Sequence, residues 1–439
     1  MTATTPSDPA PQPEPPVQAP PADEQPVEEQ PAARDTRFTG VEGAFWRLLI
    51  RGAVLLLVSL GIYRFWLATD IRRFLWSNTE IAGDGLEYIG TARELLLGFL
   101  IAIALLIPIN ALFFVGAFVK GVAGQLSGLV AFAVLALLGQ FAVYRARRYR
   151  LTRTVYRGLR FHQTGSAWRY AVCALFWWGM MAATFGLAYP FAQASLERLK
   201  VGHTFYGDLR GRFEGSGFGL FFRGLLMWLV VMVPFLFGIV TAVGVVDWNA
   251  VGDAMRAGGD EAITRMEAAG VFSALVFAAL SLGWSVVAAA VLYPVFQAMV
   301  LRWWISGLRF GDLTVRSRLR TSSVYGLYMR FVWYALLFAL VVVLLALVGL
   351  AIIGGLEAWR GKDTLTEVLT VVIPIGTYVV VALAYSTIYQ ASVKLRLWKL
   401  GFESLELGGL EALDHVKAAA APGTAVGEGL ADALHVGGI

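Results

Sequence analysis

Charge is scarce in this chain, and its scarcity excludes an ordinary soluble domain. Charged residues make up 15% of the sequence and hydrophobic residues 57%, whereas soluble domains carry about 25% charged residues. A helix needs about 20 apolar residues to cross the hydrocarbon core of a bilayer. Seven runs of 23 or more residues contain no charge: Leu95–Val119, Gly121–Tyr144, Tyr170–Leu196, Gly224–Val246, Ala268–Leu301, Phe331–Leu356 and Val368–Val393. The composition therefore predicts a membrane protein that crosses the bilayer several times.

Residues that carry enzyme chemistry are also few. The single cysteine, Cys173, lies inside an apolar run, so no intramolecular disulfide can form. No nucleophile–base pairing is visible in the sequence. Four histidines are present and lack the spacing of metal ligands: His162, His203, His415 and His435. We therefore predict no catalytic, metal-binding or cofactor-binding residue, and we do not expect an enzyme.

Acidic residues are missing from the middle of the apolar runs. Proton- and ion-coupled carriers usually keep such a residue despite its cost in the bilayer. Proton coupling is therefore not expected, unless an acid such as Asp70 or Glu197 lies in a water-filled hairpin.

The two ends of the chain differ in composition from its middle. Residues 1–36 hold ten of the sixteen prolines and seven acids, which predicts a disordered, Pro-rich acidic tail. Residues 37–400 contain every long apolar run and form the predicted membrane domain. Residues 401–439 are rich in alanine and glycine and are predicted to be a cytoplasmic tail.

Self-alignment of the sequence indicates an internal repeat. Tyr189–Arg198 reads YPFAQASLER and Tyr293–Arg302 reads YPVFQAMVLR, and a Gly-Asp-Leu follows nine residues after each arginine. Weaker copies lie at Ile71–Gly83, Tyr144–Phe161 and Tyr389–Arg396. The common unit is an apolar helix, then arginines, then a short segment that alternates around a glycine turn. Such segments predict small β-hairpins outside the membrane.

Basic residues mark the cytoplasmic side of short loops, so all five arginine segments are predicted to lie on that side. Eight simple crossings cannot place them all there, because two of the segments flank a single apolar run and would lie on opposite sides of the membrane. We therefore interpret Ala44–Trp76 and Trp168–Leu196 as re-entrant hairpins that bend near Leu60–Tyr63 and Gly186–Pro190. Six true crossings then remain, and both termini are cytoplasmic. Eight crossings with one basic loop outside is the alternative.

The predicted fold class is thus an all-α polytopic membrane protein with six to eight membrane segments in a repeated arrangement. Small cytoplasmic β-hairpins decorate it. The predicted location is the bacterial inner membrane.

Several short motifs resemble the YjgN-like family, a bacterial inner-membrane family that is also called domain of unknown function 898. They are TRFTG at Thr36–Gly40, LGIY at Leu60–Tyr63, Arg72-Arg73-Phe74, and Asn78-Thr79-Glu80 followed by Gly83. Phe65 departs from the family, which usually has proline there. The resemblance implies a polytopic inner-membrane protein and supplies no activity.

Two sets of residues are candidate binding sites. The first comprises arginines expected to contact anionic phospholipid headgroups: Arg72, Arg73, Arg153, Arg198 and Arg302. Because these arginines are tethered at a membrane surface, nucleic acid is not an expected partner. The second set is Gln193, Gln297 and Gln390, which hold matching places before an arginine and are candidates to line a polar cavity. Helix packing is the alternative role for these glutamines.

Two classes of function remain open from the sequence. One is transport or channelling of a neutral or anionic small molecule or lipid, which the broken helices and the glutamines favour slightly. The other is a non-transporting membrane scaffold that binds anionic lipids or partner proteins through its arginine segments.

Overall fold

The computed structural model describes residues 36–118, 121–257, 259–360, 364–418 and 434. All of them belong to one compact unit, Asp35–Ile439. The acidic tail predicted for residues 1–36 lies outside the described residues, apart from Thr36. About half of the tail predicted for residues 401–439 also lies outside them.

Long helices dominate the described chain. The first half contains α1 (Glu42–Val58), α2 (Arg64–Ser77), α3 (Ala92–Ala117), α4 (Val122–Thr152), α5 (Ala167–Ala183) and α6 (Tyr189–Val201). The second half contains α7 (Gly217–Val245), α8 (Trp248–Ala257), α9 (Gly259–Ala268), α10 (Val271–Ser306), α11 (Thr321–Arg360), α12 (Thr364–Tyr389) and α13 (Leu395–Glu403). A π-helix, Gln390–Lys394, joins α12 to α13.

Ten short strands stand between these helices. They are β1 (Thr36–Phe38), β2 (Thr79–Ile81), β3 (Asp84–Tyr88), β4 (Thr154–Tyr156), β5 (Leu159–Gln163), β6 (Thr204–Tyr206), β7 (Leu209–Phe213), β8 (Leu308–Phe310), β9 (Leu313–Ser317) and β10 (Leu405–Gly408). They form one sheet in chain order, and each neighbouring pair is antiparallel.

The all-α fold class predicted from the sequence is therefore wrong. The helices share the molecule with a ten-stranded antiparallel sheet that curves nearly into a barrel. Hairpins do occur at Thr79–Gly90 and Leu308–Val315, but they are parts of this one sheet and not independent hairpins. Pairs such as β3 with β4 join strands that are separated by whole helical segments. Pairing over such a distance leaves no pattern in the sequence of strands only three to five residues long.

Four two-residue turns connect the strands of the hairpins. In the turn between β2 and β3, Ala82 and Gly83 have φ values of 48° and 85°, and Arg157 and Gly158 repeat this geometry with 46° and 74°. Such left-handed pairs match the twist of the flanking strands. Asp84, which follows the first of these turns, begins β3.

Every helical segment leaves the sheet and returns to it. The pair α1–α2 connects β1 to β2, and α3–α4 connects β3 to β4. The later segments do the same between β5 and β6, β7 and β8, and β9 and β10. All tight turns therefore lie at one end of the sheet, and all helices lie at the other. This topology removes the conflict between the arginine segments and the number of crossings, because every helical segment begins and ends at the same end of the sheet.

Six helices in the described residues are long and apolar enough to cross a membrane. They cover Ala92–Gly116, Leu126–Thr152, Gly217–Val245, Val271–Ser306, Thr321–Gly355 and Thr370–Glu403. These helices are compatible with a membrane protein. The helices α1, α2, α5 and α6 have 13 to 17 residues, so each is at most about 25 Å long, short of the roughly 30 Å hydrocarbon core.

The two short hairpins, α1–α2 and α5–α6, bend through turns of the same geometry. Leu60 and Gly61 have φ values of 49° and 92°, and Phe185 and Gly186 have 50° and 87°. A hydroxyl secures each turn: Ser59 Oγ accepts from the Tyr63 N–H at 2.9 Å, and Thr184 Oγ1 accepts from the Ala188 N–H at 3.1 Å. Both bends lie where the sequence predicts them.

The helices form a closed ring. Each helical segment packs on the next along the chain, and α12 packs on α1. Arg396 Nη2 donates to Glu42 Oε2 at 2.6 Å, which joins α13 to the start of α1. Trp398 Nε1 donates to Thr79 Oγ1 at 3.0 Å. These bonds bring the last helix against the first strands and hold the sheet in its curved form.

Candidate ligand cavity inside the curved sheet

A cavity of about 690 Å³ lies between the concave face of the sheet and the ends of α10 and α13. Strand residues alternate in direction, so one face of the sheet is apolar and the other charged. Tyr156, Tyr206 and Leu313 from the concave face line the cavity opposite Trp304 of α10 and Trp398 of α13. The walls are therefore largely aliphatic and aromatic, as in most small-molecule sites.

Three polar side chains, Gln297, Tyr389 and Lys394, enter this lining from the helices. Lys394 is the cation among the residues that line the cavity. A cationic group in mostly apolar surroundings favours an anionic partner, because charge in such an environment is costly unless it is paired. The sequence search did not single out Lys394, since its place against the sheet depends on the fold.

The π-helix explains why Lys394 reaches the cavity. Gln297 precedes Arg302 by five residues, whereas Gln390 precedes Arg396 by six. The π-helix Gln390–Lys394 absorbs the one additional residue. Such bulges are frequent at functional sites, because they turn the side chains that follow relative to an ordinary helix.

Two buried tyrosines make the strand wall of the cavity. Tyr206 donates its hydroxyl to the Tyr156 carbonyl at 3.0 Å, and Tyr156 donates to the Ile81 carbonyl at 2.9 Å. Burial raises the pKa of Tyr206 to about 12 and also raises the pKa of Tyr156. Both phenols are therefore neutral at physiological pH, and their protons bind protein rather than ligand.

The segment Gly409–Lys417, here called the C-terminal plug, covers the turn end of the sheet. Leu413 of the plug lines the cavity. Arg157 Nη1 donates to Asp414 Oδ1 at 2.9 Å, and the Lys417 N–H donates to Asp208 Oδ1 at 3.0 Å. The hydrogen bond to Asp84 is the main cause that raises the pKa of Arg157. The plug is thus held at two of the hairpin turns.

The three glutamines predicted to share a cavity lie in different surroundings. Gln297 lines the cavity. Gln390 donates from Nε2 to Ser386 Oγ at 3.3 Å, one helical turn earlier. Gln193 is half-buried in α6 and is not among the residues that line the cavity.

The five predicted headgroup arginines bond mainly within the protein. Arg73 donates to the Gly90 carbonyl at 3.0 Å and Arg198 to the Gly215 carbonyl at 3.3 Å. Arg302 donates to Thr321 Oγ1 at 3.2 Å. In these three cases the guanidinium ties the end of one helix to the start of the next.

The other two arginines are also engaged. Arg153 donates from Nε and Nη2 to the two carboxylate oxygens of Glu94, at 3.1 and 3.0 Å. Arg72 is only 6% exposed and donates to the Tyr88 hydroxyl at 3.2 Å. Contact of any of the five with lipid headgroups stays a prediction.

The two acids that the sequence analysis singled out both lie in short hairpins. Asp70 is half-buried in α2. Glu197 is 6% exposed in α6 and forms an ion pair with Lys200. Burial lowers the pKa of Lys200, and the neighbouring Glu197 opposes that shift. The two opposite charges of this buried pair therefore neutralise each other.

Among the residues that the structure describes, no group of three or more histidine, cysteine or acidic side chains could hold a metal ion. His203 Nδ1 lies 2.8 Å from the Leu199 carbonyl, and His162 stacks on Phe205 with ring centroids 5.0 Å apart. Both histidine rings therefore make local contacts within the protein.

Six helices long and apolar enough to cross a membrane, joined to a near-barrel sheet, suggest a membrane protein. The chain belongs to the family described as bacterial protein of unknown function (DUF898), which matches residues 33–433. The YjgN-like resemblance of the sequence motifs is thereby confirmed. No curated protein and no solved structure matches the chain.

Proposed function

We propose that the protein binds a neutral or anionic amphiphile in the cavity and transports it between the membrane and the side that carries the sheet. The observation that carries the proposal is the cavity itself: about 690 Å³ of mainly apolar space with Lys394 in its lining. Ligand sites commonly enclose about 300–1,000 Å³ with few, well-placed polar groups.

Charge and location support this reading. An apolar chain would fill the cavity along the tyrosine and tryptophan walls. Burial of its apolar surface would contribute roughly 25 cal/mol per Å² to binding. An anionic head would pair with the Lys394 ammonium. Movement between the two sides requires a closure that opens, and the C-terminal plug is the closure at the sheet end.

The proposed setting is the bacterial inner membrane, with the sheet and both termini on the cytoplasmic side. Basic residues are concentrated on the strands and on the helix ends next to them, such as Arg160, Arg210 and Arg316. Such clusters favour the cytoplasmic face. Transport remains separable from binding, so each needs its own measurement.

A cavity-filling variant tests the binding step. Leu397, Trp398 and Gly401 of α13 line the cavity, together with Lys394 of the π-helix before it and Leu405 of β10 after it. A Cβ at Gly401 meets no other atom within 4 Å. Gly401→Leu should therefore fill the cavity without a clash, and replacement of a helical glycine should leave stability equal or higher by up to about 1 kcal/mol.

The measurement is native mass spectrometry of the full-length protein extracted in mild detergent. Wild type should retain an amphiphile that Gly401→Leu loses. Gly43→Leu is the matched control, because Gly43 is also helical and open but lies outside the cavity lining. Retention of the same molecule by Gly401→Leu would rule out this cavity as the site.

A scaffold is the second candidate, and the convex face of the sheet favours it. Arg160, Arg210, Arg212 and Arg316 are exposed on that face, on the alternate strands β5, β7 and β9. If wild type retains no amphiphile and a protein co-purifies instead, the scaffold takes precedence. If an amphiphile is retained, a flux assay in proteoliposomes with wild type and Lys394→Met then distinguishes transport from storage.

A further inference from the structure

A second cavity, separate from the one inside the sheet, lies along the first short hairpin. It encloses about 610 Å³ between α1 and α2. Three guanidinium groups line it, from Arg47, Arg51 and Arg73, together with apolar side chains such as Leu48 and Leu67. One wall is therefore cationic, while the rest suits hydrocarbon.

The fold does not use all the hydrogen-bond donors of these three arginines. Arg73 donates from one nitrogen, Nη2, to the Gly90 carbonyl. Arg47 and Arg51 are exposed, and no hydrogen bond or ion pair joins either of them to another described residue. Asp70 is the acid in the lining, so the pocket keeps an excess of positive charge.

The apolar tip of the hairpin and its start beside the sheet favour headgroup depth for these cations. The tip of the hairpin is apolar and open: Val58, Leu60 and Ile62 are 76%, 93% and 58% exposed. Exposed side chains of this kind are stable in hydrocarbon rather than in water. The α1 helix starts beside the sheet, and Arg51 lies nine residues after Glu42, about 13 Å along the axis. Long arginine side chains extend their charged ends toward the interface, where phosphate groups lie.

The second short hairpin shows that the fold does not require these charges. Arg47 and Arg51 lie fourteen and ten residues before Gly61, and the same offsets before Gly186 give Val172 and Phe176. Both hairpins nevertheless bend through turns of the same geometry. The arginines of the first hairpin therefore serve a purpose other than forming the hairpin.

We propose that the pocket between α1 and α2 binds the phosphate of an anionic phospholipid through Arg47, Arg51 and Arg73. Guanidinium groups bind phosphate oxygens in a bidentate fashion, which gives both attraction and orientation. The acyl chains lie against Leu48 and Leu67 toward the apolar tip. Asp70 repels a second negative charge, so a phosphodiester lipid with one negative charge is favoured over a phosphomonoester. The site does not depend on the function proposed for the cavity inside the sheet.

Titration of the full-length protein in mild detergent, followed by native mass spectrometry, tests this site. The probes are phosphatidylglycerol, phosphatidylcholine and inorganic phosphate. Wild type should bind phosphatidylglycerol in preference to phosphatidylcholine, and millimolar inorganic phosphate should not displace it. The double variant Arg47→Gln/Arg51→Gln should bind phosphatidylglycerol about 30-fold more weakly, the factor supplied by two basic contacts at an anionic surface.

Two further variants isolate the site. Arg212→Gln/Arg316→Gln removes the same charge from exposed positions on the sheet, outside this pocket, and should leave binding unchanged. Asp70→Asn removes the competing acid and should strengthen phosphatidylglycerol binding several-fold. Thermal unfolding of the two arginine double variants should match wild type, because the arginines replaced are exposed.

Three results would overturn the proposal. They are equal binding by the Arg47→Gln/Arg51→Gln variant and wild type, an equal loss in the sheet control, or displacement of the lipid by inorganic phosphate. The last result would assign the pocket to a free anion. Because Gly401→Leu lies outside this pocket, it should keep phosphatidylglycerol binding here, so failure of one site does not imply failure of the other.

Discussion

Arg153 and Glu94 illustrate how single residues connect the helices of this fold. The guanidinium binds both carboxylate oxygens, and Tyr149 donates its hydroxyl to the same carboxylate at 2.6 Å. The side chains are 17% and 35% exposed. The contact joins the end of α4 to the first turn of α3, so it fixes one long hairpin where it meets the sheet.

Glu94→Gln should therefore lower the free energy of unfolding by about 1–2 kcal/mol, a value reduced for partial exposure of the pair. The measurement is denaturant unfolding in detergent, with Arg153→Gln and the double variant completing a thermodynamic cycle. Glu261→Gln is the control, because its ion pair with Arg265 is exposed, at 65% and 47%. A loss at Glu261 as large as at Glu94 would contradict the proposed role.

At this scale the sequence located the important arginines but not their partners. Arg73 and Arg198 bond to Gly90 and Gly215, which lie seventeen residues further along the chain. Their acceptors are backbone carbonyls, which every residue carries and which no residue pattern marks. For Arg47 and Arg51, in contrast, the described part of the chain supplies no hydrogen-bond or ion-pair partner, and only the structure shows this.

The C-terminal plug is the element whose role depends most on one turn. Gly207 has a φ of 56°, and a Cβ added there would collide with the Lys417 carbonyl and the Val416 side chain. Gly311 holds the same place in another hairpin with a φ of 57°, and a Cβ there meets a Leu209 methyl at 3.0 Å. The two glycines thus share backbone geometry and differ in their contact with the plug.

Gly207→Ala and Gly311→Ala should each cost about 1 kcal/mol from the left-handed backbone. Gly207→Ala should in addition displace the plug. The readout is the reaction rate of a cysteine placed at Leu413 in a Cys173→Ala background, because Leu413 is 8% exposed while the plug is seated. We expect fast labelling with Gly207→Ala and slow labelling with Gly311→Ala. Equal rates would show that the contact does not hold the plug.

The helical hairpins were the most predictable elements. Twelve uncharged residues, Gly52–Tyr63, are too few to cross a membrane, and the structure accordingly bends the chain at Leu60 and Gly61. The sequence predicted where the strands lie along the chain but not how they pair. A run such as Thr79–Ile81 forms two ladders, to β1 and β3, and only one of them is local in sequence.

The whole molecule is organised by its sheet. Because every helical segment returns to the sheet, the chain can place all hairpin turns on one side of a membrane when each segment crosses it an even number of times or not at all. The three long helical segments supply the six candidate spans, and the two short ones also begin and end in this sheet, between β1 and β2 and between β5 and β6.

Cysteine labelling in intact cells checks this arrangement. Single cysteines at Gly158, Asp208 and Asp312, in a Cys173→Ala background, should all react from the same side, which we expect to be the cytoplasm. A cysteine at Arg256, between α7 and α10, should react from the other side, because one candidate span separates it from the sheet. Reaction of the three turn cysteines from different sides would be incompatible with the single sheet.

The sequence by itself predicted a membrane class, with which the six long apolar helices are compatible, and it located the two bends and the hairpin strands. These features depend on composition and short-range spacing, which a chain carries wherever it folds. Only the tertiary structure decided that the hairpins join into one curved sheet, that Lys394 faces a cavity and that the plug covers it. Those features arise from contacts between residues far apart in the chain, and their energy exists only when all the segments are assembled around one core.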